Sequence, residues 1–170
     1  MTRKVYYFTY TFLEYLSFSF ILYHIIGGKK IRRLMIISLI FFTIFMTIHL
    51  LFTTDKRIDS IPIGVETILI LVFIYYYFFN SFQDDDNNKL YKDPGFWFVI
   101  GMLVYLGSTF FFNILANNVD TEFMKKYWHF TFLGDILKNI IFSIGILAYS
   151  KQIGKSKEKN TIIDNLLNWG

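Results

Sequence analysis

The chain has 170 residues, of which 54% are hydrophobic and only 18% are charged, with a net charge of +4 and no cysteine. A soluble domain carries about a quarter charged residues, and here the apolar residues fall in blocks of about 18 or more, which predicts an integral membrane protein. Without cysteine there is no disulfide and no cysteine-ligated metal or redox centre, and basic residues clustered at the ends of apolar blocks indicate topology signals rather than nucleic-acid binding.

The apolar blocks predict an all-α fold, a polytopic transmembrane up-down bundle of five helices occupying residues 1–150. A helix of about 20 residues crosses a bilayer core, and in lipid the backbone must satisfy its own hydrogen bonds. The first block follows a basic start but lacks a signal-cleavage pattern, so we expect it to be retained. Short polar connections are typical of neighbouring antiparallel helices. The predicted spans are Val5–Ile26, Leu34–Phe52, Ile61–Phe82, Phe96–Leu115 and Trp128–Tyr149.

Glycine and proline mark the ends of several predicted spans. Gly27 and Gly28 are suited to ending the first helix, because glycine readily adopts the left-handed conformation found after helix ends. Pro62 begins the third span and Pro94 precedes the fourth, where a missing N–H costs little. In the fourth span, small residues on or beside one face permit close helix approach. The predicted packing positions are Gly101, Gly107 and Ser108.

Residues 151–170 are predicted to form a basic and amphipathic cytoplasmic tail. Four lysines near its start suit anionic lipid headgroups on the cytoplasmic face: Lys151, Lys155, Lys157 and Lys159. The apolar residues that follow could lie in the membrane interface, dock on a partner protein or form a frayed end. Since the face richer in Lys and Arg is expected to be cytoplasmic, the N-terminus is predicted to lie outside a bacterial inner membrane.

Polar side chains occur in every predicted span, although burying them in lipid is costly. Such residues usually face the bundle interior and are functional candidates. Counting along each helix at about 1.5 Å per residue places nearly all of them in the outer half of the membrane. We therefore expect a shared ligand or ion pocket below the outer surface. Its predicted members are Glu14, His49, Glu66, Asp135, Lys138 and Asn139.

Asp135, Lys138 and Asn139 are spaced i, i+3 and i+4, which predicts a shared helical face. Lys138 could pair with Asp135 in its own helix, or with Glu66 or Glu14 across the bundle. Three carboxylates against one lysine leave an imbalance, so either an acid carries a proton or a cation or water completes the site. The alternative interpretation is that these groups are interhelical hydrogen bonds that only fix the packing.

The sequence lacks the patterns that would indicate an enzyme. It has no pair of histidines four residues apart with a glutamate, as in metalloproteases, and no glycine-flanked serine nucleophile. The acidic run at 84–88 does not fit a calcium-binding loop, because the position for its last glutamate is Gly95. We expect no metal, no cofactor and no catalytic residue.

The run with Phe96, Trp97, Gly101, Tyr105 and Gly107 resembles a signature of uncharacterised multi-pass bacterial membrane proteins. The segments "FLEYL", "VETIL" and "ILKNIIFSIG" add to this resemblance. Those proteins have six or seven spans, and more distantly they are similar to the seven-span sensor regions fused to histidine kinases. The resemblance implies a helical membrane bundle and a link to sensing, but it brings no established activity and no site residues. Compared with the seven-span proteins, this five-span chain would lack the first two spans.

These observations lead to three functional hypotheses. The leading one is a non-enzymatic sensory or accessory membrane protein, in which the outer polar pocket signals to a cytoplasmic or membrane partner. The alternative is a small proton- or ion-coupled transporter that uses Glu14, Glu66 and Lys138. The inner half of the predicted bundle has few polar residues, so an oligomer could supply the part of the transport pathway that lies there. The second alternative is a structural membrane subunit.

Overall fold

The computed structural model describes residues 2–52, 60–83, 87–118 and 129–167. Across these ranges the regular secondary structure is entirely helical, with no strand, which confirms the all-α prediction. A short 3₁₀ helix, Asn87–Lys92, precedes the fourth long helix. The long helices are α1 (Thr2–Ile25), α2 (Lys29–Phe52), α3 (Ser60–Gln83), α4 (Pro94–Asn118) and α5 (His129–Leu167).

Three segments of these helices are long and apolar enough to cross a membrane: Lys29–Phe52, Ile61–Gln83 and Phe132–Gly154. A shorter apolar stretch, Pro94–Phe110, lies in α4. Many large apolar side chains on the outward faces of α2 and α5 are exposed, including Ile40 and Leu147. So extensive an apolar surface is unusual for a protein surrounded by water, whereas it is the expected surface toward lipid.

The ends of the helices are fixed by local backbone chemistry. Gly28 follows α1 with a φ of +105°, a conformation that glycine adopts without steric cost, and the Ile26 N–H still donates to the Leu22 carbonyl at 2.8 Å. At the start of α4, the Asp93 side chain caps the helix by accepting a hydrogen bond from the Gly95 N–H at 3.0 Å. Pro94 is the first helical residue, as its missing N–H favours.

Asp93 also connects two helices. Its second carboxylate oxygen accepts a hydrogen bond of 2.8 Å from the Tyr77 hydroxyl near the C-terminal end of α3. Gly95 lies beside Ile25 at the end of α1, since a Cβ placed on it would come within 2.8 Å of that side chain. The end of α1, the end of α3 and the start of α4 therefore lie together at one end of the bundle, which we call the turn end.

Helix α1 lies at the centre of the bundle and packs against α2, α3 and α4. Its buried face presents Tyr15 and Leu22, both fully buried, to a core that includes Phe42 of α2, Ile70 of α3 and Met102 of α4. Helix α5, by contrast, packs almost wholly against α4. The bundle is thus a central group of four helices with a fifth attached along one side.

Small residues let α4 and α5 approach closely in an antiparallel arrangement. A Cβ added at Gly101 would lie 2.7 Å from the Phe142 ring, and one added at Gly134 would collide with the Ser108 side chain. Gly145 similarly faces Trp97. Gly101 and Ser108 are about two helical turns apart and so share the face that meets α5.

The expectation that Gly107 also packs closely is not met among the described residues. No described atom lies within 4 Å of a Cβ placed on it. Gly107 lies on a different face of α4 from Gly101. Each residue advances about 100° around the helix, so the two glycines are about 120° apart. Its neighbour Ser108 occupies the contact face instead.

We predict that Gly134→Ala destabilises the protein by about 1–3 kcal/mol, because the new methyl group would force α4 and α5 apart. Ser108 cannot remove the clash by rotating its hydroxyl, since its Cβ is itself 2.9 Å from the added atom. The measurement is the free energy of unfolding in mixed detergent micelles titrated with SDS and followed by circular dichroism. Gly107→Ala is the matched control and should be neutral or up to about 1 kcal/mol more stable than wild type, since alanine is the better helix former. Equal losses from both substitutions would contradict close packing at Gly134.

Candidate functional site

Tyr105 of α4 is the residue around which the buried polar groups assemble. It is only 3% exposed, and its hydroxyl oxygen lies 3.2 Å from the hydroxyl oxygen of Tyr10 on α1. The Glu14 carboxyl, also on α1, lies close to the same hydroxyl. The edge of its ring packs against Phe18, with the ring centroids 5.8 Å apart. Tyr105 therefore holds α1 and α4 together through both its polar and its apolar parts.

Lys138 brings α5 into the same site. Its Nζ lies 3.8 Å from the centroid of the Tyr105 ring and 3.0 Å from Oδ1 of Asp135, one turn earlier in α5. The Lys138 side chain is 16% exposed and that of Asp135 is 42% exposed. Glu14 also interacts through space with both charges. A desolvated ammonium over an aromatic ring gains about 2 kcal/mol, so this contact helps to hold Lys138 inward.

Glu66 of α3 completes the arrangement from a helix that packs against both α1 and α4. It is 2% exposed, and its Oε1 has no hydrogen-bond partner among the described residues. The Glu14 carboxyl acts on it through space, and the Tyr10 and Tyr15 phenols lie within electrostatic range. Leaving a buried polar oxygen unpaired is costly in any protein interior, so its presence calls for a chemical explanation.

We call this set the polar cluster. It unites side chains of α1, α3, α4 and α5, and the carboxyl groups of Glu14, Glu66 and Asp135 lie within electrostatic reach of Tyr10. Two of its members, Glu14 on α1 and Lys138 on α5, interact electrostatically through space. The members of the polar cluster are Tyr10, Glu14, Glu66, Tyr105, Asp135 and Lys138.

The polar cluster lies near the mid-height of the bundle. Glu14 and Tyr105 are each about 16 Å along their helices from Ile25 and Pro94, at about 1.5 Å per residue. Glu66 is about 16 Å along α3 from Tyr77, the residue that contacts Asp93 at the turn end. That is roughly half the thickness of a hydrocarbon core. Depths counted along each predicted span put nearly all of these polar residues in the outer half of the membrane, because such counting assumes that all spans begin at one level. The helices are staggered instead, and this brings Glu66 level with Glu14.

Two predicted pocket residues lie apart from the polar cluster. The His49 ring stacks on Phe8 and Phe45, with centroid distances of 5.6 and 5.7 Å. Phe8 is about 9 Å from Glu14 along α1, on the side away from the turn end. Asn139 is exposed on α5, and its backbone carbonyl accepts a hydrogen bond of 2.8 Å from the Ser143 hydroxyl.

The tyrosines of the site were missed at the level of sequence, where the predicted pocket contained no tyrosine. Tyr15 is fully buried, and its hydroxyl oxygen lies 2.6 Å from Ser38 Oγ on α2. The available signal was position: Tyr10, Tyr15 and Tyr105 lie well inside their helices, whereas interfacial tyrosines occur at span ends. A phenol in mid-span needs a hydrogen-bond partner, and so it indicates a polar interior.

The chemistry of the polar cluster is that of charge and proton binding. Asp135 and Lys138 form a neutral pair, while Glu14 and Glu66 remain as two further acids. The described residues contain no group of three or more His, Cys, Asp or Glu side chains suited to a metal ion. Acids next to an ion pair inside a bundle of apolar helices can bind a proton or a small cation.

Comparison with protein-family models, with curated proteins and with solved structures finds no match for this chain. The resemblance to multi-pass bacterial membrane proteins and to kinase sensor regions stays a prediction.

We predict that Tyr105→Phe lowers the free energy of unfolding by about 1 kcal/mol, since it removes the hydroxyl that contacts Tyr10 and Glu14. Tyr105→Leu should cost more, because it also removes the ring beneath Lys138. SDS-titrated unfolding in mixed micelles measures both. Tyr75→Phe, at an exposed position on the same bundle, is the control and should be near neutral. If Tyr105→Phe behaves like the control, the hydroxyl does not hold α1 and α4 together.

Proposed function

We propose that this protein is a non-enzymatic sensory or accessory integral membrane protein, in which a ligand bound at the polar cluster changes the position of α5. The observation that carries the proposal is the course of α5 itself. This helix presents Asp135 and Lys138 to the polar cluster and continues unbroken to Leu167, beyond the apolar segment that ends at Gly154. One continuous helix therefore joins the charges of the polar cluster to a segment beyond the apolar span.

The length of this extension suits a signalling element. From Gly154 to Leu167 the helix extends about 20 Å at 1.5 Å per residue. Because a helix transmits rotation and translation along its axis, a shift at Lys138 would displace the whole extension. Helix α5 packs almost wholly against α4, so few other contacts resist such a shift. A cytoplasmic or membrane partner would bind the extension differently in its two positions.

Two alternative pairings of Lys138 provide the states that a sensor needs. The ammonium forms an ion pair with Asp135 on its own helix, and it also interacts with Glu14 on α1. A ligand favours one arrangement only if it binds the two with different affinity. A coupling of about 1–3 kcal/mol between a ligand and a helix position is typical of such systems. Exchange of Lys138 between the two acids would move α5 relative to α1.

The proposed topology has all five long helices crossing a bacterial inner membrane, with the N-terminus outside and the C-terminus cytoplasmic. Basic residues at the turn end support this orientation: Lys29, Lys30, Arg32 and Arg33 follow α1 directly. Arg32 is further fixed there, since its guanidinium lies 5.1 Å from the Tyr23 ring centroid. The lysines after the apolar part of α5 would then face anionic lipid headgroups on the same side.

The proposal predicts that removing the charge of Lys138 displaces α5. The chain has no cysteine, so Lys30→Cys and Gln152→Cys, both at exposed positions, allow two spin labels to be placed without background. Lys138→Met and Glu14→Gln should each change the label separation in liposomes by about 2 Å or more. Pulsed electron paramagnetic resonance measures the distance.

Thr47→Ala, at an exposed position on α2, is the control for that measurement and should leave the distance unchanged. If Lys138→Met and Glu14→Gln lower only the stability and leave the distance as in wild type, the polar cluster fixes packing alone. The protein would then be a structural membrane subunit.

A proton- or ion-coupled carrier is the second candidate, and the mid-height position of the polar cluster favours it. Carriers bind their substrates near the membrane midplane, at sites that open to each side in turn. Glu14 and Glu66 would then be the groups that bind and release the transported ion. Among the described helices, however, no proline interrupts a helix interior, as discontinuous carrier helices often require.

Flux measurement separates the two candidates. We expect liposomes containing the protein to show the same proton flux as empty liposomes when a pH gradient and a membrane potential are imposed. A pH-sensitive dye inside the vesicles measures the flux. Proton flux above the empty-liposome rate that is abolished by Glu66→Gln, but retained in the control Asn139→Ala, would overturn the sensory proposal in favour of the carrier.

A further inference from the structure

Glu66 is the acid of the polar cluster that, among the described residues, has no cation paired with it. Lys138 is paired with Asp135 and also interacts with Glu14, so the available positive charge is directed at other acids. Among the described residues, Oε1 of Glu66 has no hydrogen-bond partner, and the nearest acid, Glu14, can only repel it if both are ionised. Two carboxylates that share a low-dielectric site do not both remain charged without a counterion.

The number of available oxygen atoms decides which counterion fits. Calcium takes six to eight oxygen ligands and magnesium requires about six in an octahedron. The described residues offer no group of three or more side chains suited to a metal. A proton needs one oxygen, and Glu66 Oε1 is an oxygen that is buried and unpaired.

We propose that the ligand of the polar cluster is a proton, bound to the carboxyl group of Glu66. This inference rests on the proposed function, because it names the ligand to which α5 responds. The groups that face Glu66 are Glu14, Tyr10 and Tyr15 of α1, while Tyr105 of α4 and the Asp135–Lys138 pair of α5 act through Glu14. On α2, the His49 ring stacks on Phe8 and Phe45.

The proton step has a simple balance. When the O–H bond of the Glu66 carboxyl breaks, the bonding electrons stay on the carboxylate and the proton passes to water. Glu66 then carries a negative charge beside Glu14, and the polar cluster gains one uncompensated charge. Of the described residues, Lys138 is the cation that lies in this cluster, and movement of its ammonium from Asp135 toward Glu14 would offset the new charge. Proton binding and the position of α5 are linked in this way.

Infrared spectroscopy of the full chain in liposomes tests the proposal directly. A protonated carboxyl group has a C=O stretching band that ionised carboxylates lack, and this band shifts to lower frequency in D₂O. We expect wild type at neutral pH to show such a band and Glu66→Gln to lose it. Asp93→Asn removes an acid that lies outside the polar cluster, at the start of α4, and is the control that should keep the band. Glutamine has the shape of the neutral acid, so the variant should fold with an unchanged unfolding midpoint.

Three results would overturn the inference. The first is a wild-type spectrum without a protonated-carboxyl band, and the second is a band lost in Glu14→Gln instead of Glu66→Gln. The third is a band that disappears at constant pH when Na⁺ or K⁺ replaces choline, which would assign the site to a metal cation. If the band behaves as expected while the spin-label distance does not respond to Lys138→Met, the proton site stands and the sensory function fails.

Discussion

The structure depends on one constraint, which is that polar groups in an apolar bundle must find their partners in one another. Lipid offers no hydrogen bonds, so each acid, phenol or ammonium within a membrane helix has to turn inward or bear the cost of exposure. Glu14 and Tyr105 meet at this inner position, and Lys138 reaches them from the outermost helix. The polar groups pair with one another only because the helices pack in this arrangement, and their contacts in turn help to hold the helices together.

Close packing of α4 against α5 is what allows Lys138 to take part. The contacts of Gly134 with Ser108 and of Gly101 with Phe142 set a single antiparallel register. That register places Lys138 directly over the Tyr105 ring. A larger side chain at Gly134 would move α5 outward, and the ammonium would lose both the ring and its interaction with Glu14. The small residues of one interface therefore determine the electrostatics of a site shared by four helices.

Much of the fold and part of the site could be predicted from the sequence. Long apolar blocks indicate helices because lipid leaves the backbone few alternatives, and the all-helical prediction is confirmed. The rarity of charge in such blocks likewise singled out Glu14, Glu66, Asp135 and Lys138, which the structure places near one another.

The rest required knowledge of helix rotation and stagger, which hydropathy does not contain. Asn139 follows Lys138 directly and so points about 100° away from it, outside the face that meets α4. Glu66 lies level with Glu14 because the helices begin at different heights. Tyr105 was missed because tyrosine is common at membrane interfaces, and only the packing against α1 and α5 shows that this one is central.

A lysine suits the polar cluster because the proposed mechanism needs a cation that can move between two acids. An arginine at position 138 would offer a planar fork suited to bidentate binding of Asp135 and to stacking on the Tyr105 ring, and both contacts would fix α5 in one place. A lysine ammonium is a compact charge on a flexible stem, and it can move from one acid to another without losing the ring beneath it. Lys138 therefore holds α5 against the Tyr105 ring, and its ammonium can still move from one acid to another when the charge on α1 or α3 changes.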